Sequence, residues 1–126
     1  MDTKRKSKIL IVEDEFFLAE TVKVRLEYLG YEVFYAENGS EALDFLKTNV
    51  VDVVLMDIMM PVMDGWEATR RIKADAKLKK LPVIFLTARA RTEERAKGME
   101  AGGDDYLTKP FEFQDLIAMV EKWIKK

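Results

Sequence analysis

Val53-Val54-Leu55-Met56-Asp57-Ile58-Met59-Met60-Pro61-Val62-Met63-Asp64-Gly65 is the stretch on which the fold turns. Four apolar residues lead into a carboxylate, and a loop carrying Pro61 and Gly65 follows. A short unbroken apolar run reads as a strand buried on both faces, as in parallel sheets. Asp57 then stands where the strand leaves the core, at the edge where open parallel α/β sheets bind ligands. On this stretch alone Asp57 is either a strand-ending turn residue or a reacting group.

The same pattern recurs on either side. Lys8-Ile9-Leu10-Ile11-Val12 is a buried strand that ends in Glu13-Asp14-Glu15. Three adjacent carboxylates suit either a cation site or the acidic first turn of a helix. A helix follows to Gly30, a good C′ residue, with Leu18, Val22, Leu26 and Leu29 at helical spacing. Residues 31–36 alternate as a second strand. Asn38-Gly39 turns the chain, Ser40 can cap the next helix, and Ala42, Leu43, Leu46 and Val50 form its buried stripe.

After the central strand a helix runs over 65–76, with Trp66, Thr69 and Ile72 on one side. Lys77 to Lys80 reads as a solvated loop. Val83-Ile84-Phe85-Leu86 is the fourth strand and ends in Thr87-Ala88. Thr92 can cap a helix reaching Ala101, with Glu93 and Glu94 in its first turn and Gly102-Gly103 at its end. Residues 104–108 form a short fifth strand that ends in Lys109-Pro110-Phe111. The last helix has the clearest periodicity, through Phe113, Leu116, Ile117, Val120, Trp123 and Ile124. Five strands alternating with five helices, joined by right-handed crossovers, predict a doubly wound α/β domain with a parallel sheet.

Composition narrows the chemistry. At 126 residues with 48% hydrophobic and 35% charged content, the chain reads as one soluble globular domain. A net charge of -2 gives no basic field for direct nucleic-acid binding. No apolar run is long enough for a membrane span, and the polar start is no secretory signal, so the expected location is cytoplasmic. Residues 1–7 read as a basic tail and 8–126 as the domain. With neither Cys nor His, thiolate nucleophiles, Ser-His-Asp triads and ordinary zinc sites are excluded. Any metal must be hard and oxygen-bound, which favours Mg²⁺, Mn²⁺ or Ca²⁺.

Glu13 and Asp14 follow the first strand, Asp57 the third, Thr87 the fourth and Lys109 the fifth. Parallel strands bring all these ends to one edge, a convergence that favours the reacting-group reading of Asp57. Individually, Lys109 could instead be a surface lysine beside Asp104 or Asp105, Thr87 a strand end, and Tyr106 a half-buried aromatic. Asp64-Gly65 reads as turn and helix start.

With Ile-Val-Glu-Asp at 11–14, Met-Asp-Ile-Met-Met-Pro-Val-Met-Asp-Gly at 56–65, Leu-Thr-Ala at 86–88 and Asp-Asp-Tyr-Leu-Thr-Lys-Pro-Phe at 104–111, the chain resembles the receiver domain of two-component response regulators, of the chemotaxis-regulator type. The resemblance spans residues 8–125. It implies a flavodoxin-like sheet of order 2-1-3-4-5, the order the chemotaxis regulator itself exemplifies. It implies that Asp57 is a phosphoryl acceptor, with Mg²⁺ (or Mn²⁺) held by Asp14, Asp57 and the Met59 carbonyl, and by Glu13 mainly through water. Lys109 and Thr87 would each meet a phosphoryl oxygen, and no other cofactor site is implied. Phosphorylation would draw Thr87 inward and move Tyr106 into the vacated space, changing the helix 4–strand 5–helix 5 face, for which Arg91, Glu94, Lys97 and Tyr106 are candidates. A cis Lys109–Pro110 peptide is also implied.

The implied partners are a histidine kinase or histidine phosphotransfer protein and an unidentified downstream protein. The implied activity is a phosphorelay switch that catalyses only its own phosphorylation and dephosphorylation. The alternatives are a phosphate-independent binding module and, with no visible cap insertion or Walker A loop, a Mg²⁺-dependent aspartyl-phosphate phosphohydrolase. Departures from the family pattern are an apolar Met59, a Gly103 that would loosen its turn, and a last helix without the arginine of dimerising DNA-binding relatives. The expected state is a monomer or weak phosphorylation-dependent dimer, either a single-domain regulator or a piece of a longer chain.

Overall fold

The computed structural model describes residues 6–88 and 92–124, with the side chains of 92–95 outside the description. Most of the expected tail therefore lies outside the described residues, as do Arg91 and the side chains of Thr92, Glu93 and Glu94. The order is β1 (Lys8–Val12), α1 (Phe16–Tyr28), β2 (Glu32–Ala36), α2 (Gly39–Thr48), β3 (Val53–Asp57), α3 (Gly65–Ala74), β4 (Val83–Thr87), α4 (Thr92–Glu100), β5 (Asp105–Thr108) and α5 (Phe113–Ile124). The five strands form one parallel sheet of order β2-β1-β3-β4-β5. β3 and β4 are buried along their whole length, as their continuous apolar runs require.

Strand alternation divides the core in two. Leu10, Val12, Val54, Met56 and Phe85 pack with Ala42, Leu46, Ala68 and Ile72 from α2 and α3. Ile9, Ile11, Val53, Leu55, Ile84 and Leu86 pack on the other face with Val22, Leu26, Leu116 and Val120 from α1 and α5. Both faces of the sheet are apolar, so helices cover it on both sides.

Helix ends account for the local departures from expectation. α1 stops as predicted at Gly30, whose φ of 101° closes the turn while Tyr31 N–H bonds to the Leu26 carbonyl at 3.2 Å. Leu29, at the C-cap, is 49% exposed and off the expected stripe. The cap of α2 is Asn38, not Ser40: its Oδ1 accepts from Glu41 N–H at 3.0 Å. Gly39 takes the first helical position because a Cβ there would lie 2.8 Å from the Ala68 Cβ and 2.9 Å from the Met63 carbonyl oxygen. α2 ends at Thr48, so Val50 falls beyond the helix and is 72% exposed rather than in the stripe.

A polar clip fastens the edge of the sheet opposite Asp57. Lys73 of α3 donates to Asp104 Oδ2 at 2.8 Å and to the Leu81 carbonyl at 2.7 Å, and the same Asp104 oxygen accepts Val83 N–H at 2.8 Å. Both side chains are largely out of solvent. Lys73→Met keeps the aliphatic stem but strands the carboxylate and a carbonyl. Removing one partner of such a pair should cost about 1–3 kcal/mol, read as a lower urea midpoint at unchanged slope. Lys47→Met, at an exposed pair with Asp44, should change stability by less than about 0.5 kcal/mol.

Candidate functional site

The carboxyl ends of β1, β3, β4 and β5 meet at one edge of the sheet. They enclose a cleft of about 300 Å³ lined by Asp14, Glu15, Asp57, Met59, Thr87, Ala88 and Lys109. Asp57 is the last residue of β3 and Thr87 the last of β4, both buried. Lys109 follows β5 and its N–H bonds to the Thr87 carbonyl at 2.7 Å, which fixes its entry beside β4. Glu13, leaving β1, donates its backbone N–H to the Ala36 carbonyl at 3.1 Å. Each side chain is thus placed by the strand before it.

One cation faces three carboxylates. Lys109 Nζ lies 2.9 Å from Glu13 Oε1, 3.6 Å from Asp57 Oδ1 and 3.6 Å from Glu15 Oε1. The other oxygen of Glu13 accepts Glu15 N–H at 3.2 Å, so this buried carboxylate is held by protein donors on both sides. One carboxylate oxygen each from Glu13, Asp14 and Asp57 lies within 4.8 Å of the others. Burial, reinforced by Glu13 and Asp14, pushes the Asp57 carboxyl up to about 7 against the opposing pull of Lys109. Burial works against the charge of Lys109, but the hydrogen bond to Glu13 and the nearby Asp57 hold its ammonium above the usual lysine value. An all-oxygen acidic set, two of its three carboxylates buried and little compensating charge beside them, suits a hard divalent cation.

The β3–α3 loop is tied down along its length. Met63 N–H bonds to the Pro61 carbonyl at 2.7 Å across Val62, whose φ is 70°. A left-handed β-branched residue in so tight a turn is strained, and its surroundings must hold it there. They do: Gly39 N–H bonds to the Met63 carbonyl at 3.2 Å, Asp64 caps α3 by accepting Glu67 N–H at 2.9 Å, and Gly65 N–H bonds to the Ile58 carbonyl at 2.9 Å. Gly65 is more than a helix start. A Cβ there would strike the Asp57 carbonyl oxygen and lie 2.9 Å from Ile58 Cα, so only glycine lets α3 approach the end of β3.

A family model for the response regulator receiver domain matches residues 9–121. The chain belongs to the receiver family. Response regulator MprA of Mycobacterium sp. (strain KMS) is 39% identical over 119 residues, covering 94% of this chain and 51% of that protein. The chain therefore spans about half the length of the curated relatives it matches. A putative response regulator from Chloroflexus aurantiacus superposes with a TM-score of 0.92 at 35% identity, covering 97% of this chain and all of the other. The receiver domain of sensor histidine kinase PA1611 from Pseudomonas aeruginosa, with a magnesium ion coordinated in its active-site cleft, gives 0.90 at 35% identity over 97% of this chain and 100% of its own.

In this receiver domain Asp57, Thr87, Lys109, Asp14, Met59 and Glu13 all come to one cleft. Lys109 does not pair with Asp104 or Asp105; Lys73 holds Asp104, while Lys122 and the Trp123 indole N–H hold Asp105. The Lys109–Pro110 peptide is cis. Tyr106, one of the readout candidates, is 8% exposed, with its ring centroid 5.3 Å from that of Phe85. Lys97 is exposed, its ammonium 4.1 Å from the Trp66 ring centroid. Arg91 and the Glu94 side chain lie outside the described residues. Gly103, just past α4, donates its N–H to the Gly98 carbonyl at 3.0 Å. Sequence reasoning missed the direct Glu13–Lys109 pair, the presence of Glu15 at the cleft and the close approach of Gly65. Only the run of three carboxylates hinted at the first two.

Proposed function

We propose that this receiver domain is a phosphorylation-activated switch of a two-component relay, with Asp57 as the phosphoryl acceptor. The observation that carries the reading is Asp57 itself, buried at the end of β3, 3.6 Å from a lysine ammonium and facing a polar cleft with Thr87. An Asp57 oxygen attacks the phosphorus of a phosphohistidine on a histidine kinase or phosphotransfer protein. The P–N bond breaks and an aspartyl phosphate forms. Lys109 compensates one phosphoryl oxygen and the Thr87 hydroxyl meets another, so catalysis is chiefly positioning and electrostatics. Asp14, Asp57 and the Met59 carbonyl would hold Mg²⁺ (Mn²⁺ also suits them), with Glu13, already bonded to Lys109, acting through water. Bound there, the ion neutralises charge on the carboxylate and the phosphoryl oxygens.

The signal passes to the α4–β5–α5 face and from there to a downstream protein, without direct nucleic-acid contact by this domain. Among the described residues no helix is long and apolar enough to cross a membrane, and the proposed setting is the cytoplasm. The domain acts as a monomer or weak phosphorylation-dependent dimer and turns over no substrate but its own acyl phosphate. Convergence of Asp57, Thr87 and Lys109 favours this reading over a phosphate-independent binding module.

The test is intact mass after incubation with acetyl phosphate, with and without Mg²⁺, on wild type and Asp57→Asn. One added phosphoryl group that needs Mg²⁺ and is lost in the variant is expected. No adduct, or an adduct that survives the substitution, would overturn the assignment.

A further inference from the structure

We propose that Gly98, inside α4, is the steric gate that admits the Tyr106 ring to its buried position. The inference rests on the switch reading and adds the element that sets the ring's place. A Cβ on Gly98 would fall on the Tyr106 Oη, 2.8 Å from Cζ, and 3.0 Å from Phe85 Cε2. The same edge of the Phe85 ring already lies against Gly103, where a Cβ would strike its Cε2 and lie 2.8 Å from its Cδ2. Two glycines thus frame one aromatic pair, Phe85 and Tyr106, at the junction of β4, β5 and α4.

α4 cannot simply step back. Its end is closed by Gly103 N–H to the Gly98 carbonyl and Gly102 N–H to the Met99 carbonyl, both 3.0 Å, with Gly102 at φ 100°. That closure pins the Gly98 backbone itself. One residue earlier, Lys97 reaches over the Trp66 ring of α3 at 4.1 Å. With the backbone pinned and the space filled by the ring, an added methyl at position 98 displaces the tyrosine rather than the helix. The missing side chain of Gly98 is therefore what makes the inward ring position available.

Gly98→Ala decides the point, because helix propensity and the gate predict opposite signs. Alanine inside a helix normally stabilises relative to glycine. The four tyrosines can be labelled as 3-fluorotyrosine and followed by ¹⁹F NMR with a soluble paramagnetic agent, Tyr106 being assigned through Tyr106→Phe. In wild type the Tyr106 signal should be protected, while that of Tyr28, 89% exposed, is broadened. In Gly98→Ala the Tyr106 signal should broaden as that of Tyr28 does; continued protection overturns the gate. Should that variant fail to fold, the substitution is made in Tyr106→Ala. There it should raise the urea midpoint, and a lowered midpoint would equally overturn the proposal. An acetyl phosphate adduct on Asp57 is scored separately, so failure of the switch reading is distinguishable from failure of the gate.

Discussion

Lys109→Ala is expected to slow Mg²⁺-dependent phosphorylation of Asp57 by acetyl phosphate by about 100- to 1,000-fold, the usual cost of removing one preorganised charge-stabilising group. Lys109 is the only cation among the described residues in ion-pair range of Asp57. Its Nζ is already aimed by Glu13 at 2.9 Å, so little reorganisation stands between this arrangement and contact with an incoming phosphoryl oxygen. Lys109→Arg should recover only a small part of the rate. A planar fork does not reproduce a point charge in a cleft of about 300 Å³.

The same substitution should tighten Mg²⁺ binding. An ammonium 3.6 Å from Asp57 repels a second cation at the same carboxylates, and its loss leaves the acidic set uncompensated. Rate and metal affinity therefore move in opposite directions, which a collapsed cleft would not produce. Single-turnover mass spectrometry at saturating Mg²⁺ gives the rate, and calorimetric titration gives the affinity. Phosphorylation within about threefold of wild type would remove Lys109 from its assigned role.

The sheet was legible because its strands are apolar runs that end abruptly in polar residues. Val53–Asp57 is a parallel-strand pattern whatever surrounds it. What was not legible depended on partners distant in sequence. Asn38 and Ser40 are both capping residues, and the choice between them is made by Ala68 and Met63, which force Gly39 into the first turn. Periodicity carries no stop signal, so it runs the stripe of Ala42 and Leu46 on to Val50, whereas α2 ends at Thr48. The site residues were legible as strand ends, since topology alone brings them together. Their pairings were not. Glu13 and Lys109 are separated by 96 positions, and Glu13 reaches the ammonium only because the two ends lie on either side of Asp57. The depth of Tyr106 was not legible either, because the room its ring occupies is left by Gly98 on another element.

Asp57→Asn is expected to stabilise the metal-free protein at pH 8 and to do so progressively less as pH falls toward 5. The carboxyl is pushed up to about 7 by burial and by its acidic neighbours Glu13 and Asp14. A raised acid binds its proton more tightly in the folded than in the unfolded state. Its contribution is therefore fully present below the unfolded value and is lost as pH rises through about 7. Above that pH the fold carries a buried charge that Lys109 only partly offsets, and the amide removes it. The expected gain is about 1–3 kcal/mol, well short of the full linkage value because Lys109 and solvent at the open cleft screen the cluster. Urea unfolding of both proteins at pH 5, 6, 7 and 8 isolates this group, since other titrations cancel in the difference. Mg²⁺ at about 100 times its dissociation constant should add roughly 2.7 kcal/mol to wild type and much less to the variant, closing the gap. A difference that stays flat across the pH series would show that Asp57 is not held in the charge-starved environment its neighbours describe.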